Sequence, residues 1–171
     1  MSMSRNNVFL WCLTMVGMLL LAGCAHVISK PVLKEIDTTA TFAQVLKDPD
    51  AYKGKTVLFG GDIIGAKNIQ DKTVVAVLQR PLGRRGEPGA GDVSGGRFIV
   101  TTPGFLDPAI YSPGRKITVA GRVVGKEVRP LGEIAYTYPV IEKRELYLWP
   151  VEKPASAEPA VHFGFGIGVG F

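Results

Sequence analysis

The chain of 171 residues is 46% hydrophobic and 20% charged, and its 20 Lys and Arg against 15 Asp and Glu give a formal charge of +5. Such a length suits one domain with one core rather than two. The mild positive balance is compatible with a basic face towards anionic lipid headgroups and is no nucleic-acid signal by itself.

The first element is an apolar leader. Arg5 is the only side-chain cation ahead of an apolar run from Val8 to Gly23, and small residues precede Cys24. That is the layout of a bacterial secretory signal. Its ending, Leu21-Ala22-Gly23-Cys24, resembles the lipobox of bacterial lipoproteins. The resemblance implies that the cysteine sulfur receives a diacylglyceryl group, that the peptide is cut before Cys24, and that the new amino terminus is acylated. A thiol suits this chemistry because it is a nucleophile that can be alkylated. The rival reading is an uncleaved membrane anchor, for which the run falls short of the roughly 20 residues a spanning helix needs. Cleavage would also remove Cys12, leaving one cysteine that carries lipid and no intrachain disulfide. Ala25 follows the lipidated position. An aspartate there commonly retains a lipoprotein in the inner membrane, so by analogy Ala25 implies the outer one. Two or more acyl chains make such anchoring stable, each buried methylene contributing about 0.8 kcal/mol.

Residues 24–40 read as a lipidated tether, since His26, Ser29, Lys30 and Pro31 fall in no sustained period. A domain is expected over residues 41–149. Thr41 and Gln44 have capping-box spacing, and Phe42, Val45 and Leu46 share one helical face, which predicts a short helix to about Lys47 stopped at Asp48-Pro49-Asp50. Val57, Phe59 and Ile63 share one face of a first strand, with Gly61 placed for a bend or bulge. A second strand from about Thr73 to Gln79 pairs with it as a hairpin. Arg80 to Gly96 holds glycines and prolines without an apolar period and predicts a long mobile loop. A third strand runs from Arg97 to Thr102, followed by a compact turn in which Phe105 and Tyr111 tuck their rings under the domain. In the fourth, Lys116 to Lys126, Ile117, Val119 and Val123 face one way, Thr118 and Arg122 the other, and Gly121 marks a bend. A fifth covers Ile134 to Pro139, extended by Leu146 to Trp149 past a charged bulge at Glu142 to Glu145.

Five glycine-bent strands behind a short N-terminal helix predict a mainly β fold, a small five-stranded antiparallel OB-like barrel preceded by a cleaved lipoprotein signal peptide. An open sandwich of two small sheets is the alternative, and strand count alone does not separate the two.

Phe59-Gly60-Gly61, Gly104-Phe105-Leu106-Asp107-Pro108, Tyr111 and Ile117-Thr118-Val119-Ala120-Gly121, in that order and behind Cys24, resemble the Slp family of outer-membrane lipoproteins, the starvation-inducible type. The likeness runs from the lipobox to about Trp149. It implies an outer-membrane lipoprotein that faces the periplasm and is associated with stationary-phase or stress survival, with no established catalytic activity or cofactor. Only Cys24 transfers as a functional position.

The residues themselves offer little catalytic chemistry. His26 in the tether and His162 in the tail lie outside the expected barrel, so the usual nucleophile–base pairs are missing there, as is metal-ligand spacing. We assign no catalytic residue, no metal and no cofactor. An envelope hydrolase using surface carboxylates is an alternative that a cluster of buried, convergent acids would favour. Arg84 and Arg85, bracketed by Arg80 and Arg97, are candidate membrane contacts, a basic residue near an anionic surface gaining up to about 1 kcal/mol. The competing reading is a hairpin loop kept soluble by arginine. Tyr136, Tyr138, Tyr147 and Trp149 suit an aromatic ligand platform or, more commonly for such residues, a filled core or covered barrel mouth.

Pro150, Pro154 and Pro159 mark a linker. Beyond it, residues 161–171 alternate Gly or His with Phe163, Phe165, Ile167, Val169 and Phe171, a strand period about as long as the 9–11 residues of a membrane-spanning strand. Phe163, Phe165 and Phe171 are candidate membrane contacts. A lone strand leaves its edge amides unsatisfied in lipid, so the tail needs partner strands or lies in the interface. Glycine at alternate positions raises the cost of ordering and leaves a frayed tail as the alternative. The expected partners are the outer membrane through the N-terminal lipid and, through the tail, envelope proteins or further copies of the chain. Export argues against nucleic acid.

Overall fold

The computed structural model describes residues 26–151, so Cys24, Phe163, Phe165 and Phe171 lie outside the described residues. A one-turn helix, Lys30–Leu33, opens the described chain. The helix Phe42–Lys47 forms where side chains supply a reciprocal cap: the Gln44 amide donates to Thr41 Oγ1 at 3.4 Å, and the Thr41 amide donates to Gln44 Oε1 at 3.1 Å. It ends at Asp48, whose carboxylate accepts from the Ala51 amide and starts a 3-10 turn, Pro49–Tyr52. Lys126 and Lys53, both within 2.8 Å of the Asp50 carboxylate, hold its pKa down at about 2 and tie this turn to the sheet.

Five strands follow: β1 Thr56–Ile69, β2 Lys72–Gln79, β3 Arg97–Pro103, β4 Lys116–Leu131 and β5 Ile134–Leu148. They close into a barrel in the order β1-β2-β3-β5-β4, with β4 returning to β1. Closure decides for the OB-like barrel over the open sandwich. Because β5 reaches β3 by way of β4, the two run the same way and pair in parallel from Ile99↔Val140 to Thr101↔Glu142, while the other pairings are antiparallel. The fifth strand is one continuous element. Its expected charged bulge is real but absorbs only Arg144, which is skipped between the pairs Ala120↔Glu145 and Gly121↔Lys143.

Alternation along each strand sends one row of side chains inward. Val57, Phe59 and Ile63 of β1 meet Val75 and Val77, Phe98 and Val100, Ile117, Val119 and Val123, and Ile141 in one buried core. Phe42 enters that core from the helix and packs edge-to-face on Phe59 and Phe98 at 5.1 and 5.8 Å, pairs that contribute about 0.5–1.5 kcal/mol each beyond their burial. Gly61 and Gly121 occupy inward rows at points of close approach. A Cβ on Gly61 would run into the Leu78 carbonyl, and one on Gly121 into that of Glu142, so their bareness lets neighbouring strands cross tightly. The ladder of β1 shifts at Ile64 rather than at Gly61, whereas Gly121 adjoins a shift directly.

Phe42 lies against Gly95 and Gly96, at the entry to β3, and so closes one end of the barrel. The other end is closed by the link after β3. There the Leu106 amide donates to Thr73 Oγ1 at 2.9 Å, Asn68 Nδ2 donates to the Leu106 carbonyl at 3.3 Å, and Leu106 and Tyr111 pack on the core. Phe105 departs from expectation: it is 72% exposed, because the turn at Gly104 (φ 77°) directs Leu106 rather than its neighbour inward.

Candidate functional site

The segment read as a tether is attached to the barrel from Val27 onward. Ile28 is 1% exposed, the Val27 amide donates to the Arg85 carbonyl at 3.1 Å, and the Ser29 amide and hydroxyl both donate to the Glu145 carboxylate, at 3.1 and 2.8 Å. Further along, Glu35 pairs with Arg144 at 3.0 Å and Ile36 bridges to Thr56. The Thr39 hydroxyl and Lys55 both donate to Asp37 and hold its carboxyl at about 2. His26 stacks its ring edge on Gly86, which has φ 87° and no room for a Cβ on that side. His26, the first described residue, thus lies beside the Arg84–Gly86 turn.

That turn is tied down more firmly than a mobile loop. Leu82 bridges to Pro88, the Gly89 amide donates to the Pro81 carbonyl at 2.8 Å, and Gly86 and Pro88 are buried. Thr118 Oγ1 donates to the Gly86 carbonyl at 2.5 Å and accepts from Trp149 Nε1 at 2.9 Å. One hydroxyl on β4 thus links the turn to the residue that follows β5.

Between these parts lies a cleft of about 650 Å³, bordered by Arg85, Glu87, Arg115, Lys116, Tyr147 and Trp149. The Tyr147 and Trp149 rings meet edge-to-face at 5.0 Å. Arg115 Nη1 donates to the Ile110 carbonyl at 3.1 Å and Nη2 to the Trp149 carbonyl at 2.8 Å, while its buried Nε has no partner. Glu87 bends back to accept the Arg85 amide at 2.9 Å.

Arg84 and Arg85 are both exposed, and Arg85 borders the cleft. Arg80 does not join them. Its side chain is 12% exposed, its Nε pairs with Asp62 at 2.7 Å, and its Nη1 donates to the Val93 carbonyl, so it secures the base of the loop. Arg97 is half-buried and its amide donates to the Tyr136 hydroxyl at 2.9 Å. The four aromatics separate into two pairs. Tyr136 and Tyr138 meet at 4.8 Å on the outer face of the sheet, where Tyr138 buries Val74 of β2 and Ile99 of β3. Tyr147 and Trp149 line the cleft instead. Arg115 and Lys116 were not singled out from sequence, although two adjacent cations between Gly114 and an apolar strand are a signal for a basic strand entrance. Among the described residues the buried polar side chains are Thr73, Thr102 and Thr118, and no three His, Cys, Asp or Glu are grouped to hold a metal ion.

A family model described as the outer membrane lipoprotein Slp family matches residues 21–165. An uncharacterized lipoprotein of Escherichia coli K12, YeaY, is 26% identical over 172 residues, covering 98% of this chain and 89% of that protein. An uncharacterized protein of Haemophilus influenzae Rd is 34% identical over 96 residues, 56% of this chain and 52% of its own. Among solved structures, a small single-stranded DNA-binding protein from Streptomyces coelicolor aligns at TM-score 0.33 and 14% identity, covering 56% of this chain and 94% of that one. Schizosaccharomyces pombe Pot1pC bound to single-stranded DNA aligns at 0.31 and 10%, covering 60% and 84%. At such scores neither structure bears on what this chain binds.

Proposed function

The chain belongs to the outer membrane lipoprotein Slp family, and from that premise we propose that lipid on Cys24 holds it against the periplasmic side of the outer membrane as a non-enzymatic binding or scaffolding module used in stationary-phase or stress survival. The observation that carries this reading is the docked N-terminal segment. Ile28 is buried and Val27 is bonded to Arg85, so an acylated Cys24 would bring the Arg84–Gly86 face to the leaflet rather than leave the barrel on a leash. Exposed Arg84 and Arg85 then stand where cations gain from anionic headgroups.

A nucleic-acid partner is disfavoured on the geometry of the sheet. OB barrels bind oligonucleotides on the face of strands 2 and 3 and with the flanking loops. Here Tyr138 covers Val74 and Ile99 on that face, and β1 passes into β2 through Gln70 and Asp71 alone.

Fractionation of a Cys24→Ala variant, with metabolic labelling by palmitate, tests the anchor. The variant should lose both the label and its place with outer membranes; full outer-membrane partition without label would overturn lipid anchoring. A second reading, assembly through residues 161–171, is favoured by the position of Val151, the last described residue, which borders the same cleft and is 66% exposed on the side proposed to face the membrane. Deleting residues 161–171 should abolish oligomers on native gels, and unchanged assembly would sink it.

A further inference from the structure

We infer that the cleft between the Arg84–Gly86 turn and Trp149 binds the headgroup of an anionic phospholipid in the leaflet that receives the anchor. The inference rests on the reading of Cys24 as lipidated for the direction the cleft faces, and on the cleft's own chemistry for the ligand.

Charge comes first. Two arginines, Arg85 and Arg115, border the cleft, and its one carboxylate, Glu87, is turned back onto the Arg85 amide. Arg115 is held in place by two carbonyls, and no carboxylate meets it among the described residues. Carbonyls orient a guanidinium without neutralising it, so its positive potential stays directed at the cleft. A phosphate diester is the group such a set suits, because charge-assisted bonds from guanidinium to phosphate oxygen are short, strong and directional.

Shape and position select a lipid over a free anion. A small anion would not need the rings of Tyr147 and Trp149 or the prolines, Pro88 and Pro150, that also line the cleft. Tyrosine and tryptophan with a wet edge and an apolar body belong at headgroup depth. The volume of about 650 Å³ also falls in the range of about 300–1,000 Å³ typical of small-molecule sites. Gly86 is the hub of the arrangement: the His26 ring rests on one side of it, and its carbonyl receives the Thr118 hydroxyl that also holds Trp149. The exit of the proposed anchor and the cleft are consequently built on the same turn, and a lipid neighbouring the anchor is the nearest candidate to enter.

The test uses the full mature chain, in which Trp149 is the sole tryptophan once Trp11 leaves with the leader. Short-chain phosphatidylglycerol, kept below its micellar concentration, should shift Trp149 emission to the blue and saturate. Arg85→Glu should weaken that binding about tenfold, whereas Arg84→Glu, on an exposed residue off the cleft, should change it far less. Equal weakening by the two variants would mean general surface attraction and would overturn the site. So would a shift of the same size from inorganic phosphate or short-chain phosphatidylcholine, or no shift at all. No bilayer is present in this titration, so it does not depend on the lipid of Cys24, and the fractionation of Cys24→Ala fails or succeeds separately.

Discussion

Replacing Ile28 with alanine separates a docked N-terminal segment from one that merely lies nearby. The side chain is 1% exposed; burying an isoleucine contributes about 1.5–3 kcal/mol, and truncation that leaves a cavity costs about 2–5 kcal/mol. Ordering each residue from Val27 to Ser29 costs about 1–2 kcal/mol of backbone entropy. The bonds of Ser29 to the Glu145 carboxylate, at about 1.5–3 kcal/mol, and of Val27 to Arg85, at about 0.5–1.5 kcal/mol, offset much of that cost. Without Ile28 the remaining contributions nearly cancel, and the segment should detach while the barrel stays closed. Losing about 3 kcal/mol of docking raises the open fraction about a hundredfold. Hydrogen exchange followed by mass spectrometry should therefore show the Ser29 amide exchanging about a hundredfold faster in Ile28→Ala, with Val75 and Val119 amides protected nearly as before. Unchanged exchange at Ser29 would refute the role given to Ile28. An equal rise in the core would refute the separation of segment from barrel.

Two glycine substitutions in β1 should behave oppositely. Gly61→Ala places a methyl against the Leu78 carbonyl and should cost at least about 2 kcal/mol in urea unfolding, whereas Gly65, where an added methyl would meet nothing within 4 Å, should accept alanine within about 0.5 kcal/mol. Thr118→Val leaves the Gly86 carbonyl and Trp149 Nε1 without their shared partner, so stability should fall by about 1–3 kcal/mol and Trp149 emission should change. Asp37 and Asp50 are depressed from an ordinary 3.8 to about 2. A carboxylate lowered by folding stabilises fully above its unfolded value and ceases to do so as pH falls through its folded one. Urea midpoints should accordingly hold down to about pH 4 and decline towards pH 2, with a shallower decline in Asp50→Asn.

Features set by neighbours in sequence were legible, and those set by register were not. Thr41 and Gln44 announce their cap because the bonds span one turn of helix, and Val57, Phe59 and Ile63 announce a buried face because the pleat alternates. The continuity of β5 was hidden by Glu142 to Glu145, whose charges resemble a break. In the fold Arg144 and Glu145 serve the N-terminal segment, bonding Glu35 and Ser29, so they interrupt the apolar pattern without interrupting the ladder. Phe105 was misplaced because an aromatic side chain invites burial, while the backbone at Gly104 decides which residue turns inward. The cleft joins Arg85, Arg115 and Trp149 across three separate stretches of chain, and only barrel closure brings them together. The lipobox reading of Cys24 rests on four consecutive residues, Leu21 to Cys24, and so needs no fold to be made.

Closure through β3 and β5 also governs how the protein can be made. The meander of β1, β2 and β3 has two bare edges until β4 fills that of β1 and β5 fills that of β3. An exported chain emerges amino terminus first, so in the proposed lipidated form it is fastened to a membrane while those edges still lack partners. Copies confined to a surface meet one another often, and unpaired edges are what strands of neighbouring chains add to. The hazardous moment in the life of this lipoprotein is therefore the interval before Leu148 arrives, and lesions in β5 should appear as aggregated envelope material even where the mature barrel could tolerate them.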